Sequence, residues 1–284
     1  MLAEERRAKI QELLTQKPTV VIAELAEQFG TSEMTIRRDL DELEARGICQ
    51  RIHGGAMSLR ILEYQNLYPP FPAREQFQVR EKSAIGRAAA AMVQRGELIA
   101  IDSGTTAAHM AYALRDHAPV TVLTNSLRVM EQLYDVLNIT VISPGGTLST
   151  EGVGAGISPG SGDLAFVGPI TISTLRSFRP RKAFISTSGF SIPDGISNAS
   201  LPQAEVKRML IEIADEIILI ADHTKFGRLS NFIFAPIERV HKVVTDIAAP
   251  QEEVEKLRKL GIEVILVEPA EEVMPLRVPV LPSV

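Results

Sequence analysis

The chain has 284 residues, more than one average domain and too few for three, so two folded units are expected. Hydrophobic residues make up 45% and charged residues 23%, values that exclude a disordered or fibrous chain. A single cysteine excludes an internal disulfide. The net charge of −5 gives no global support to nucleic-acid binding, so any such function must depend on a local surface.

The N-terminal residues carry charges throughout and lack the apolar core of a secretory signal. The longest aliphatic run, residues 217–221, is far shorter than the ~20 apolar residues that cross a bilayer. We therefore expect a cytoplasmic protein with no membrane partner.

Residues 1–57 have a compact, charged and mostly helical pattern. A first helix is predicted over 2–17, because apolar residues recur at helical spacing up to Pro18. A second helix is predicted over 22–29 and is ended by Gly30. Ser32 can cap a third helix by accepting a hydrogen bond from an early backbone amide.

The third helix is predicted to present two arginines to solvent. Its apolar positions 36, 40 and 43 must face inward, which puts Met34, Arg37, Arg38 and Asp41 on the opposite face. Gly47 ends the helix, and residues 48–56 then resemble a short hairpin or wing. This geometry is typical of helices that enter the DNA major groove, but a small helical bundle with a solvated charged face has the same pattern.

Residues 58–80 are predicted to be a linker between two domains. Prolines at positions 69, 70 and 72 cannot continue a helix, because proline lacks an amide donor and biases the residue before it to extended geometry. The second domain is predicted over 81–268. The last segment, 269–284, contains four prolines and is predicted to be a surface tail.

The second domain alternates short aliphatic strands with amphipathic helices. This order predicts an α/β fold with a mostly parallel sheet that is covered by helices on both faces. The predicted strands span residues 97–102, 120–124, 139–143, 182–187, 216–222, 242–246 and 262–267.

The turn after the first of these strands has the composition of an anion site. Residues 102–106 read Asp-Ser-Gly-Thr-Thr and lead into a helix, so backbone amides and hydroxyls converge at the positive end of the helix dipole. A phosphate or a carboxylate fits there. The alternative is that these serine and threonine side chains only cap the helix.

Polar clusters also follow four other strands, at residues 124–126, 144–147, 186–189 and 222–225. In an open α/β sheet the carboxyl ends of the strands converge where ligands bind, which favours a ligand site over capping alone. Lys82, Lys207 and Lys225 are candidates for completing an anion site, although isolated lysines are more often solvated.

The N-terminal strings TSEMTIRRDLDELEARG and RIHGGA resemble the signature of the DeoR-type bacterial transcription regulators, which are winged helix-turn-helix repressors. The resemblance implies that double-stranded operator DNA is a partner. Arginine suits this role because it makes bidentate contacts with guanine or clamps phosphates. The residues implied in DNA binding are Ser32, Thr35, Arg37 and Arg38 on the recognition helix and Arg51 and His53 on the wing.

The second domain resembles the DeoR-type sensor domain, which is related in fold to ribose-5-phosphate isomerase and to CoA transferases. The matching strings are EKSAIGRAAA, IDSGTTA, LTNS, PGGTL, QAEVKRMLIEIAD and ILIADHTKFG. The resemblance implies an effector that is a phosphorylated sugar or a related metabolite. The implied contacts are Lys82, Asp102, Ser103, Gly104, Thr105, Thr106, Asn125, Gly145, Gly146, Ser188, Gly189, Lys207, Asp222 and Lys225.

A sugar-phosphate isomerase is the alternative function, because the fold relatives transfer protons. That chemistry needs a positioned base, commonly a carboxylate. Asp194, Glu205, Asp102 and Asp222 are the carboxylates that could meet near the ligand, but no paired arrangement is visible in the sequence. We expect no catalytic residue, and the scattered histidines and lone cysteine predict neither a metal site nor a cofactor.

The sequence therefore predicts a DNA-binding transcription regulator, in this family most often a repressor, of carbohydrate-metabolism genes. A phosphorylated sugar would change its operator affinity through a differential affinity for two arrangements of the protein. One small DNA-binding head with few basic residues should bind weakly alone, so we expect a homodimer or homotetramer. A constitutive DNA-binding module with a vestigial sensor is the third possibility.

Overall fold

The structure is a computed structural model that describes residues 3–16, 19–46, 48–52, 54–58, 71–149, 163–273 and 276. The described residues fall into two compact units. The described part of the first unit ends at residue 58, and the second unit begins at Phe71. Of the helices in these ranges, none is both long enough and apolar enough to span a bilayer.

The first unit packs three helices against a small antiparallel sheet. Pairing is in the order β1-β3-β2, with Val20 opposite Ala56. Ile10, Ile36 and Leu40 lie at the centre of its apolar core and are fully buried. The elements are α1 (Ala3–Gln16), β1 (Thr19–Val21), α2 (Ile22–Phe29), α3 (Glu33–Ala45), β2 (Cys49–Ile52) and β3 (Gly55–Ser58).

The second unit is an α/β fold with further strands beside its main sheet. Its described strands are β4 (Leu98–Ile101), β5 (Val120–Thr124), β6 (Ile139–Ile142), β7 (Thr147–Ser149), β8 (Ala165–Val167), β9 (Lys182–Ile185), β10 (Gly189–Ser191), β11 (Gly195–Asn198), β12 (Glu216–Ile220), β13 (Phe232–Ala235), β14 (Lys242–Asp246) and β15 (Glu263–Val267).

The helices of the second unit lie before, between and after these strands. They are α4 (Phe71–Gln76), α5 (Val79–Ala91), α6 (Thr105–Ala113), α7 (Leu127–Leu133), α8 (Pro169–Leu175), α9 (Leu201–Ile213) and α10 (Gln251–Lys259), with 3₁₀ turns at Leu114–Asp116, His223–Lys225 and Ile237–Arg239.

Within the described residues the main sheet has seven parallel strands in the order β15-β14-β12-β9-β4-β5-β6. Successive residues of one strand enter different cores: Ile218 packs with α5, α6 and α7, whereas Leu219 packs with α9 and α10. Burial on both faces explains why these strands are almost continuously aliphatic. The predicted α/β class and all seven predicted strands are confirmed.

The structure corrects the predicted linker. Residues 71–80, assigned to it from their prolines, form α4 and the start of α5 in the second unit. Phe71 is 2% exposed and packs with Ala108 and Leu276. Pro72 is tolerated because the first turn of a helix does not use its amide hydrogens.

The predicted tail also begins inside the second unit. Ala270 exchanges two hydrogen bonds with Arg80: its backbone amide donates to the Arg80 carbonyl at 3.0 Å, and its carbonyl accepts from Arg80 Nε at 2.7 Å. Leu276 is buried beside Phe71. The described residues 269–273 and 276 are therefore part of the unit.

Candidate functional site

The start of α3 is fixed by two local devices. Gly30 adopts the left-handed conformation that ends α2, with φ of +59°. Ser32 then caps α3, because its Oγ accepts from the Thr35 amide at 3.2 Å and lies 2.9 Å from the Thr35 hydroxyl. The predicted cap is present, and both hydroxyls take part in it.

The face of α3 opposite its buried residues is open to solvent, as predicted. Met34 is 62% exposed, and Arg37 and Arg38 are also exposed. Arg37 forms an exposed ion pair with Glu33 at 3.1 Å. No partner for the Arg38 guanidinium is found among the described residues, so this cation is available to an anionic surface.

An ion pair on the inner side of α3 was not anticipated. Asp39 is 4% exposed, and its carboxylate accepts from Arg6 of α1 at 2.5 Å. Asp39 lies three residues after Ile36 and four before Leu43, so helical spacing alone puts it beside the core. This pair holds the exposed helix against α1.

Arg51 of the wing contacts its own unit. Its guanidinium donates to the carbonyls of Arg37 at 3.1 Å and Gly55 at 3.3 Å and pairs with Asp41. These contacts join the wing to α3 and give Arg51 a positioning role in addition to any DNA contact. His53, the other predicted wing residue, lies outside the described residues.

The order of the main sheet reverses between β4 and β9. From β4 the chain passes to β5 on one side, and from β9 it passes to β12 on the other. The segments that follow these neighbouring strands diverge, and in α/β sheets ligands bind at such a switch point. We name the residues that follow β4, β5, β9 and β12 (102–106, 125, 186–189 and 222–225) the switch-point site.

A buried network spans the centre of the switch-point site. Lys207 of α9 pairs with Asp102, and its ammonium also donates to Ser186 Oγ at 3.1 Å. The Ser186 amide and hydroxyl donate to the same Asp102 oxygen at 3.1 and 3.0 Å. These bonds give a lysine and a carboxylate, both at most 2% exposed, partners that offset the cost of their burial.

Gly104 lets the turn after β4 approach β9. It has φ of +136°, and a Cβ atom there would lie 2.8 Å from Ser186 Oγ. No side chain caps α6, and Thr105 and Thr106 in its first turn are buried. The Ser103 hydroxyl beside them is buried without a hydrogen-bond partner in the described structure. This arrangement provides donors for an anion.

Unpartnered acceptor oxygens lie on three strand ends of the same site. Asp102 Oδ1, Asn125 Oδ1 and Asp222 Oδ2 are buried, and no described residue donates to them. The other oxygen of Asp222 accepts from the amide and hydroxyl of Thr224. A buried acceptor without a donor is costly, so hydroxyl groups of a ligand would suit this row.

Lys82 and Lys225 add positive charge near Asp222. Burial lowers the pKa of Lys82 to about 8, and Asp222 partly offsets this. Burial also lowers the pKa of Lys225, again against the attraction of Asp222. The Lys82 ammonium donates to the carbonyls of Arg74 and Phe77, so it also holds the segment from α4 to α5.

Other residues implied in ligand contact already have partners within the protein. Gly145 accepts from the Thr171 hydroxyl at 2.6 Å, and a Cβ atom on Gly146 would lie 2.1 Å from the same hydroxyl oxygen. Ser188 donates to Asn198, and Gly189 begins the β10-β11 hairpin. These residues shape the loops around the site.

Of the four carboxylates of the isomerase alternative, only Asp102 and Asp222 belong to the switch-point site. Glu205 and Asp194 are exposed, and Asp194 is bonded to Ser191. Asp102 is neutralised by Lys207. Within the described ranges, no group of three or more His, Cys, Asp or Glu side chains could hold a metal ion.

Two residues of this region were missed as individual site residues. Ser186 links Asp102 to Lys207, although the sequence indicated it only as a member of a polar cluster. Arg74 pairs with Asp163 and lowers the pKa of both Lys82 and Lys225. Arg74 lies in the predicted linker, so no strand-end signal could have indicated it.

Comparisons with known proteins agree with this architecture. The model of the DeoR-like helix-turn-helix domain matches residues 6–61, and that of the DeoR C terminal sensor domain matches residues 77–247. The chain belongs to the DeoR family. The family and the prediction of a DNA-binding regulator, not an enzyme, are thereby confirmed.

Curated relatives match this chain over most of its length. The uncharacterized HTH-type transcriptional regulator YulB of Bacillus subtilis is 35% identical over 94% of this chain and 98% of its own length. The transcriptional repressor AccR of Agrobacterium fabrum is 33% identical over 86% and 89%. The glycerol-3-phosphate regulon repressor of Escherichia coli is 31% identical over 87% and 92%.

Two solved structures show distant likenesses to this chain. A ribose 5 phosphate isomerase A from Neisseria gonorrhoeae is 14% identical and covers 53% of this chain and 54% of its own, with a TM-score of 0.37. An eIF2B delta from Chaetomium thermophilum is 14% identical and covers 52% and 49%, also with a TM-score of 0.37. Neither likeness bears on function.

Proposed function

We propose that this chain is a cytoplasmic repressor of carbohydrate-metabolism genes whose affinity for operator DNA is lowered by a phosphorylated sugar. Two relatives are named repressors, one of them of a glycerol-3-phosphate regulon. The cytoplasm is where a bacterial regulator meets the chromosome.

The DNA contacts of this proposal are the exposed side of α3 and the wing. Arg38 and Arg37 are the cations that reach base edges or phosphates, and Arg38 has no intramolecular competitor among the described residues. Ser32 and Thr35 lie at the helix start, where they approach the DNA backbone. Arg51 holds the wing to α3, and His53 is proposed as a further wing contact.

Operator binding is tested by fluorescence anisotropy with the DNA upstream of the gene that encodes the chain. Replacing Arg38 with alanine is expected to lower the affinity about tenfold or more, the usual cost of one lost arginine contact. Arg95→Ala removes an exposed arginine of the second unit and serves as the control. Equal affinities of the two variants would contradict the proposed surface.

The proposal that the second unit binds a phosphorylated sugar rests on one observation. The start of α6 at the switch point has no side-chain cap, and buried hydroxyls surround it. We propose that a phosphate binds the amides and hydroxyls of residues 103–106 and is balanced by Lys82 and Lys225. Asp102, Asn125 and Asp222 accept from sugar hydroxyls. Lys207 positions Asp102, and Gly145, Gly146, Ser188 and Gly189 form the surrounding loops.

A thermal-shift screen tests this site with phosphosugars, the matching unphosphorylated sugars and inorganic phosphate. Phosphosugars are expected to raise the melting temperature, because a ligand that binds only the folded state stabilises it. The unphosphorylated sugars are expected to give a much smaller shift. Equal shifts for both forms would contradict a phosphate at residues 103–106.

Effector binding changes operator binding only if the effector has a higher affinity for one arrangement of the protein than for another. We propose that residues 1–57 form the DNA-binding domain and that a dimer or tetramer presents two or more of these heads to repeated half-sites. Light scattering after size-exclusion chromatography tests the oligomer. Adding the effector to the anisotropy assay tests the coupling, and an unchanged affinity would favour a constitutive binding module.

A further inference from the structure

A buried amide donor near the switch-point site lacks a partner. Gln203 lies in the first turn of α9 and is 2% exposed, yet its Nε2 donates to no described residue. Leaving a buried donor unsatisfied costs free energy, whereas giving it a ligand oxygen recovers that cost.

Neighbouring side chains fix the orientation of this amide. Asn198 Nδ2 donates to Gln203 Oε1 at 3.4 Å and to the Ser200 carbonyl at 3.3 Å. Asn198 Oδ1 in turn accepts from the Ser188 hydroxyl at 3.2 Å. Because Oε1 of Gln203 is the atom that receives a donor, Nε2 is the atom left without a partner.

The fold brings Gln203 to the β9 side of the switch-point site. The Ala199 amide donates to Ser188 Oγ at 3.3 Å, so the chain that enters α9 is held three residues beyond the end of β9. Gln203 and Lys207 are four residues apart and share one buried face of α9. Lys207 reaches Asp102 and Ser186 from that face.

We infer that Gln203 is a specificity-determining residue that donates a hydrogen bond from Nε2 to an oxygen of the sugar portion of the effector. This inference rests on the proposed function. The phosphate is assigned to the β4 side, at residues 103–106, so the donor on the β9 side meets the rest of the ligand. A site that hydrogen-bonds one oxygen discriminates against ligands that lack it.

The experiment measures dissociation constants of the full-length chain by calorimetry. The probes are glycerol 3-phosphate, ribose 5-phosphate, fructose 1-phosphate, glucosamine 6-phosphate and inorganic phosphate. With the tightest phosphosugar, Gln203→Met is expected to weaken binding about tenfold, which corresponds to one hydrogen bond of ordinary strength. The affinity of the Gln203→Met variant for inorganic phosphate is expected to stay within about twofold of the wild-type value.

A second readout separates a ligand contact from a structural role. Asn198 keeps the Ser200 carbonyl as a partner when Gln203 is replaced. The melting temperature of ligand-free Gln203→Met is therefore expected to stay within about 2 °C of the wild-type value or to rise. Gln203→Glu removes the donor and adds a charge, and exposed Gln251→Glu at the start of α10 controls for that charge.

The outcomes are distinct. Unchanged phosphosugar affinity in Gln203→Met, equal losses for phosphosugar and inorganic phosphate, or a melting temperature lowered by more than about 5 °C would each overturn the inference. If no phosphosugar binds the wild-type chain, the proposed function itself fails and the inference falls with it. Selective loss of phosphosugar binding by both Gln203 variants, with Gln251→Glu unaffected, supports the inference.

Discussion

Arg51 and Arg38 belong to the same helix-turn-helix domain but differ in their intramolecular contacts. Arg38 is exposed and has no partner in the described structure, whereas Arg51 bridges α3 and the wing through Asp41 and two carbonyls. Arginine supports both uses because its planar guanidinium carries several donors. Only the structure separates these roles, because both residues fit the family motif equally well.

Removal of the Arg51 side chain is expected to lower the free energy of unfolding by about 1 kcal/mol, since its charge-assisted bonds are partly screened by solvent. Arg38→Ala should leave that free energy unchanged, because the Arg38 guanidinium has no hydrogen-bond or ion-pair partner among the described residues. Urea denaturation of both variants measures the difference. Equal stabilities would show that the bridge to Asp41 does not hold the wing.

Lys82 is expected to make ligand binding dependent on pH. Its pKa is about 8, against 10.5 in an unfolded chain, because burial disfavours the ammonium while Asp222 favours it and Lys225 and Arg74 oppose it. The unfolded chain therefore binds more protons between pH 8 and 10.5, and this lysine raises the free energy of unfolding as pH increases through that window. A bound phosphate reverses the preference by attracting the proton.

Phosphosugar binding at pH 8.5 is expected to take up a fraction of a proton, and affinity should fall as the pH rises further. Calorimetry in two buffers of different ionisation enthalpy measures the uptake, at a pH where the phosphate itself is fully ionised. The uptake should shrink in Lys82→Met. Equal proton uptake in wild type and variant would place the titrating group elsewhere.

At the scale of elements, the turn from β4 to α6 depends on a conformation that only glycine adopts readily. Gly104→Ala is expected to lower the free energy of unfolding by about 2–3 kcal/mol, from backbone strain together with a clash with Ser186, and to weaken phosphosugar binding. Gly96→Ala is the control, because Gly96 has φ of +81° but no atom within 4 Å of an added Cβ.

Chemical denaturation and calorimetry measure these two effects. Gly96→Ala is expected to cost about 1 kcal/mol from strain alone and to leave ligand affinity unchanged. If both variants bind the phosphosugar like the wild type, the close approach of the turn to β9 is not needed for the site.

Elements buried on both sides could be predicted from sequence, and elements that depend on distant partners could not. The seven strands of the main sheet are aliphatic because both faces are covered, so their positions agree closely with the prediction. The short strand Gly189–Ser191 carries no such signal, because its pairing with Gly195–Asn198 supplies its stability. The same reason explains Ser186, whose partners Asp102 and Lys207 lie 84 and 21 residues away.

The boundary between the two units is set by the residues that pack into each apolar core. The first unit has its own apolar core around Ile36 and Leu40, and the second has cores on both faces of its sheet. Prolines predicted a linker that extends to residue 80. Phe71 and the carbonyls that Lys82 binds place the boundary before residue 71 instead.

Two truncated chains test this boundary. The chain 71–284 is expected to fold and to bind the phosphosugar with wild-type affinity, without binding DNA. The chain 81–284 loses the buried Phe71 side chain, worth about 2 kcal/mol, and leaves the Lys82 ammonium without its two carbonyl partners. Its melting temperature should be lower by about 5 °C or more, since each kcal/mol shifts a domain of this size by about 2–4 °C. Circular dichroism during heating measures the melting temperature of each truncated chain. Equal melting temperatures would show that residues 71–80 do not stabilise the second unit and would support the predicted linker.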